Sequence, residues 1–251
     1  MSWWRGRADV GQAPDAMDFG GSNPLLVEFL SLRDLDSGST ATQIDELIAT
    51  YSFAIPTDRA LEAVQRHAPY GVVEIGAGTG YWASLLYARG VPTVAYDVAP
   101  PMSPDNKWFH SSTGWFDVQE GDETMVAHHA DRALLLVWPT RDQTWPADAL
   151  DHFSAAGGRT VIYVGEAAGQ STGDARFHAL LGGYERCLAC AYDAPDLACV
   201  CGIRPMWRQV EHTALPHWPG RNDDLYVYGR REPPGSALHG ERRRGVLGRH
   251  R

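Results

Sequence analysis

The segment Val73-Glu74-Ile75-Gly76-Ala77-Gly78-Thr79-Gly80 constrains this chain more than any other, because it sets an apolar run, three alternating glycines and the start of an apolar helix in immediate succession. A strand that feeds a helix through glycines lets the backbone approach a ligand closely, since no Cβ intervenes. Asp97 ends the next apolar run, 21 residues beyond Gly76. An acidic side chain at the tip of the neighbouring strand accepts hydrogen bonds from both hydroxyls of a ribose. Together the two features describe a nucleoside-binding site. A dinucleotide site would want a further glycine three positions after Gly78, where helix and strand pack, and that position is Tyr81.

The rest of the pattern is consistent with an α/β sheet. Helical spacing of apolar residues predicts helices over 24–32 and 42–54, with Ser39, Thr40 and Thr42 as caps, and another over 57–66 ahead of Pro69. Short apolar runs over 71–75, 93–96, 115–118, 133–138 and 160–164 read as strands, alternating with helices over 81–88, 147–153 and 174–184. Such alternation argues for a parallel sheet with crossover helices. Two last strands, 209–214 and 225–228, are joined by a Pro- and Trp-containing loop that brings them back as an antiparallel pair.

With 251 residues and 44% hydrophobic side chains, the chain can bury one sizeable core. No run approaches the roughly 18 apolar residues of a membrane span, and no basic segment followed by an apolar stretch opens the chain, so a cytoplasmic protein is expected. The formal charge is −9, although the last twenty residues carry five Arg against two Glu. An acidic body of this kind repels a phosphate backbone, which disfavours nucleic acid as a partner. Of 22 basic side chains only Lys107 is lysine, a usage expected of GC-rich bacterial coding. The expected organisation is an N-terminal arm with lid helices (1–56), a core (57–231) with a Cys-rich insertion near 185–206, and a disordered Arg-rich tail (232–251). Trp3 and Trp4 in the arm offer indoles for docking.

The stretch from Glu74 to Gly80, together with Asp97, resembles the first motifs of the class I S-adenosylmethionine-dependent methyltransferase family: an acidic residue, an apolar one and Gly-x-Gly-x-Gly, then an acidic residue ending the second strand. The resemblance implies a Rossmann-like seven-stranded, mostly parallel sheet with an antiparallel last strand and helices on both faces. It further implies that Gly76, Ala77, Gly78 and Gly80 line the methionyl and ribose portions of S-adenosylmethionine, that Glu74 organises the loop, that Asp97 holds the ribose, and that Asp122 meets the adenine amino group. The fourth strand ends in Trp138-Pro139-Thr140 where substrate and methyl group meet in that family. Relatives that methylate exocyclic amines of nucleobases carry Asn or Asp followed by Pro-Pro and an aromatic there, so that substrate class is disfavoured.

Methyl transfer from a sulfonium needs in-line approach in a site closed to water more than covalent help. An acceptor that must lose a proton also needs a base, and His110, His128, His129, His212 and His217 are candidates by residue type. His217, in the Leu215-Pro216-His217-Trp218-Pro219 loop, is preferred, against the competing reading of a surface histidine. Tyr51, Phe53, Trp82, Trp138 and Trp218 are candidates for the acceptor's wall, or for core.

All four cysteines fall within fifteen positions, as Cys187-x-x-Cys190 and Cys199-x-Cys201. Four thiolates suit a closed, structural tetrahedral zinc site; four reduced cysteines or a redox pair are the competing readings. The expected activity is methylation of O or N of a small molecule, in bacterial secondary metabolism, by a chain that could also form a homodimer. An NAD-type oxidoreductase and a cofactor-binding module without turnover remain the alternatives.

Overall fold

The computed structural model describes residues 23–33, 41–109, 114–182 and 205–231. The expectations placed on Trp3 and Trp4, Ser39 and Thr40, His110, Cys187, Cys190, Cys199 and Cys201, and the tail 232–251 lie outside those residues. In chain order the elements are α1 (Pro24–Arg33), α2 (Ala41–Thr50), α3 (Asp58–His67), β1 (Val72–Ile75), α4 (Tyr81–Ala88), β2 (Thr93–Asp97), β3 (Val118–Glu120), a 3-10 helix (Glu123–His129), β4 (Ala133–Val137), α5 (Trp145–Ala155), β5 (Thr160–Gly165), α6 (Ala175–Leu181), β6 (Trp207–Thr213) and β7 (Asp224–Arg230).

The strands form one seven-stranded sheet in the order β3-β2-β1-β4-β5-β7-β6. β1 to β5 pair in parallel, and β7 runs antiparallel to both β5 and β6. This is a Rossmann-like, mostly parallel sheet with an antiparallel closing strand. The order reverses between β1 and β4, and it is outside the carboxyl ends of strands at such a switch point that open α/β sheets bind ligands.

The central strands are apolar on both faces because both faces are covered. Val72, Leu135, Ile162, Val164 and Val227 pack on one side with α1, α3 and α4, where Leu25, Leu61 and Leu86 are fully buried. Val73, Leu134, Leu136, Val161 and Tyr163 pack on the other with α5 and α6, through Leu150, Phe153 and Phe177. The period of two along each strand thus divides one chain into two cores. Helix ends follow local chemistry. Thr57 caps α3 by accepting from the Ala60 N–H at 3.2 Å, and Asp174 caps α6 by accepting from Phe177 at 2.7 Å. Gly182 ends α6 in the left-handed conformation.

Three expected elements move. The second helix ends at Thr50 instead of Ala54, since the carbonyls of Thr50, Phe53 and Ala54 bond to the indole N–H groups of Trp115, Trp218 and Trp82 at 2.6, 2.9 and 3.3 Å. The third strand begins at Val118, not Trp115, whose backbone N–H goes to the Thr79 carbonyl at 2.7 Å and whose ring stacks on Tyr51. β4 stops before Trp138, which turns into the left-handed region at φ 51°.

Candidate functional site

The glycine turn sits where β1 meets α4. Gly76, Gly78 and Gly80 all have positive φ, and the Ala77 N–H is anchored to the Tyr96 carbonyl of β2 at 3.0 Å. A Cβ on Gly78 would come within 2.5 Å of the Phe109 ring, and one on Gly76 within 2.9 Å of the Trp145 ring. The turn is therefore bare backbone, closely covered by aromatic side chains. Asp97 ends β2 beside it: one carboxylate oxygen accepts from the Gly78 N–H at 2.9 Å, the other from the Ala99 N–H at 3.0 Å. Burial raises its carboxyl above the ordinary aspartate range, against the lowering effect of those two N–H groups.

Glu74 stands in the middle of β1 and is 1% exposed. Its carboxyl accepts from the Ala83 N–H in the first turn of α4, supplying the cap that Gly80 has no side chain to make. The other oxygen, Oε2, is buried with no hydrogen-bond partner among the described residues. Burial, reinforced by the nearby Asp97 charge, pushes this carboxyl up to about 8. An acidic group inside an apolar strand is a costly choice for packing alone, and its second oxygen is left open to a hydrogen-bond donor.

Asp122 lies at the end of β3 and caps the 3-10 helix. Its Oδ1 accepts from the Thr124 N–H at 3.0 Å and the Thr124 hydroxyl at 2.5 Å, and these bonds hold its exposed carboxyl below the usual range.

Of the proposed wall residues, the structure gathers three. Phe53 stacks on Trp138 with ring centres 5.6 Å apart, and the Arg221 guanidinium carbon lies 5.4 Å from the Trp138 ring centre. Trp138 is half-buried and held in its unusual backbone conformation by an N–H bond to Val164 at 2.7 Å. Trp108, which sequence reasoning passed over, is exposed and packs edge-on against Phe53. Tyr51 stacks on Trp115, and its carbonyl accepts from the Thr79 hydroxyl, so it borders the glycine turn. The other two belong elsewhere. Trp82 is 1% exposed in the core under α4, and Trp218 is buried edge-on against Phe29. Their rings pack, and only their indole N–H groups reach toward the site.

The histidines separate in the same way. His217 bonds to Asp224 at 3.3 Å, and Asp224 also takes His212 at 2.8 Å and the Leu215 N–H at 2.9 Å. His129 pairs with the Tyr96 hydroxyl at 3.0 Å on the other side of the fold, and burial lowers its basicity. His128 is exposed. Sequence reasoning missed Asp223, which is 1% exposed and receives no hydrogen bond from another described residue on either carboxylate oxygen. The only signal for it was an acidic pair ahead of a strand.

Among the described residues, no group of His, Cys, Asp or Glu is arranged to hold a metal ion, and no helix is long and apolar enough to cross a membrane. No protein-family profile and no curated protein matches the sequence. Among solved structures, the chain is similar to magnesium protoporphyrin IX methyltransferase from Synechocystis PCC 6803. With S-adenosylhomocysteine bound, that structure matches at 11% identity and a TM-score of 0.36, over 83% of this chain and 96% of that one. With S-adenosylmethionine bound, the match is at 10% identity and 0.39, over 81% and 91%.

Proposed function

We propose that this chain is an S-adenosylmethionine-dependent methyltransferase acting on O or N of a small molecule. The observation that carries the reading is the arrangement at the switch point: a bare glycine turn, Asp97 at its side, and the buried, unpartnered Oε2 of Glu74 beneath it. These residues fit the donor. Asp97 would accept from the ribose hydroxyls, Gly76, Ala77, Gly78 and Gly80 would offer close backbone approach, Glu74 would take an N–H donor, and Asp122 would meet the adenine. Once bound, the donor supplies a methyl group already activated by its sulfonium. The protein's own part is positioning and exclusion of water, which suits an aromatic enclosure made from Phe53, Trp108 and Trp138.

Tyr81 weighs against a dinucleotide. It fills the position of the third glycine with a buried ring whose hydroxyl donates to Asn23 at 2.8 Å and accepts from the Leu25 N–H at 3.2 Å. Calorimetric titration with S-adenosylhomocysteine and with NAD tests the reading. We expect binding of the first, no binding of the second, and at least a tenfold loss of the first in Asp97→Ala. Tight NAD binding, or unchanged affinity in the variant, would reverse the conclusion.

Two further proposals rest on sequence. GC-rich bacterial coding and the small-molecule site suit a cytoplasmic enzyme of secondary metabolism. The spacing of Cys187, Cys190, Cys199 and Cys201 suits a structural zinc ion, closed by four thiolates and therefore not catalytic. Elemental analysis of the purified protein decides it, a metal-free preparation excluding zinc.

A further inference from the structure

At the start of β7 lies a buried carboxyl, Asp223, to which no other described residue donates a hydrogen bond. Asp223 immediately precedes β7, whose first residue Asp224 pairs with Gly165 at the carboxyl end of β5. Its neighbours are fully engaged. Glu166 accepts from the Asn222 N–H at 2.9 Å and the Ser171 N–H at 2.8 Å, and the Arg221 charge helps hold its carboxyl below the usual range although burial opposes this. Asp224 serves His212, His217 and the Leu215 N–H. Of the three carboxylates here, only Asp223, at 1% exposure, receives no hydrogen bond from another described residue on either oxygen. A buried carboxyl without partners is expensive to keep, and the usual reason is a group that arrives from outside. Two residues earlier, Arg221 lies over Trp138, which places Asp223 on the same stretch of the edge as the aromatic wall.

We infer that the acceptor is an arylalkyl amine whose ammonium group docks on Asp223, its ring lying against Trp138 and Phe53. This deepens the methyltransferase reading and rests on it. The bound ammonium gives one proton to a carboxylate oxygen of Asp223. The freed lone pair forms the N–C bond as the C–S bond of the sulfonium breaks, its electrons staying on sulfur, and the proton leaves Asp223 for solvent with the product. Burial pushes the carboxyl up to about 7, its own backbone N–H and then His217 oppose the rise, and Glu166 and Asp224 add to it, while Tyr226 and Arg221 are further ionisable groups on the same stretch. A base so tuned is better matched to an ammonium proton than an ordinary aspartate.

The test uses the full chain saturated with S-adenosylhomocysteine, with benzylamine as probe and benzoate as control, read by calorimetry above and below about pH 7. Benzylamine should bind at the higher pH, at least tenfold more weakly at the lower, and at least tenfold more weakly to Asp223→Asn at the higher. Benzoate should not bind. Asp223→Asn and Asp223→Ala should keep wild-type affinity for S-adenosylhomocysteine, which shows them folded. Equal benzylamine affinity in wild type and variants, or none in wild type at millimolar concentration, overturns the assignment. If S-adenosylhomocysteine fails to bind while benzylamine still discriminates the variants, the methyltransferase reading falls and the amine site stands.

Discussion

Replacing Glu74 with Gln should change how stability depends on pH, in a direction opposite to ordinary acid denaturation. Burial holds the Glu74 carboxyl up to about 8 against 4.5 for the unconstrained side chain, so the folded state binds this proton more tightly than the unfolded state does. The stabilisation is complete below 4.5, declines as pH rises, and is gone above about 8. Its full span is about 5 kcal/mol, of which about 3 kcal/mol falls between pH 6 and pH 9. Gln offers the same oxygen to the Ala83 N–H and has the shape of the protonated acid, but it does not titrate. Urea denaturation of ligand-free wild type and Glu74→Gln at those two pH values should therefore give a variant more stable by about 2 kcal/mol at the lower and by about 5 kcal/mol at the higher, with equal m-values. Asp97 and Asp223 titrate in both proteins and cancel in the difference to first order. Parallel pH profiles for the two proteins would refute the claim that Glu74 is kept neutral by burial.

Tyr81→Phe should cost about 1–3 kcal/mol in urea denaturation, because it strands the buried Leu25 N–H, and should leave affinity for S-adenosylhomocysteine unchanged. Gly78→Ala forces a side chain into the left-handed region, at about 1–2 kcal/mol, and against the Phe109 ring. Its thermal midpoint should drop by several degrees and its donor affinity should fall; a variant that binds as well as wild type would mean the turn is not the binding surface.

What could be read from the residues is what depends on near neighbours. β1, the glycine turn and α4 follow one another without interruption, and the helix spans 81–88 as its apolar spacing and Gly90 require. The seven strands and their antiparallel closure follow from alternation in the same way. The third strand was misplaced because Trp115 and Phe116 look like strand residues, whereas Trp115 is drawn off by Tyr51 and Thr79, far away in sequence. Trp82 and Trp218 mislead for a related reason: residue type marks a ring as able to line a pocket, but burial is decided by which helix it faces. Asp223 could not be told from Asp224 by spacing. Asp224 takes three hydrogen bonds, whereas no other described residue donates to Asp223, and that contrast exists only once the end of β6 and the loop after it fold onto the start of β7.

Beyond the last residue of α2, the stretch from Tyr51 to Ala54 has no strand or helix of its own, and the side chains elsewhere that donate hydrogen bonds to this stretch and to Thr50 all reach a carbonyl: Trp115 to Thr50, Thr79 to Tyr51, Trp218 to Phe53 and Trp82 to Ala54. Carbonyls are common to all residue types. These hydrogen bonds do not depend on the side chains the strap displays, so exchanging Phe53 would change the surface offered beside Trp138 while the four bonds persist, whereas Tyr51, packed on Trp115 and Tyr81, is tied to the fold by its ring as well.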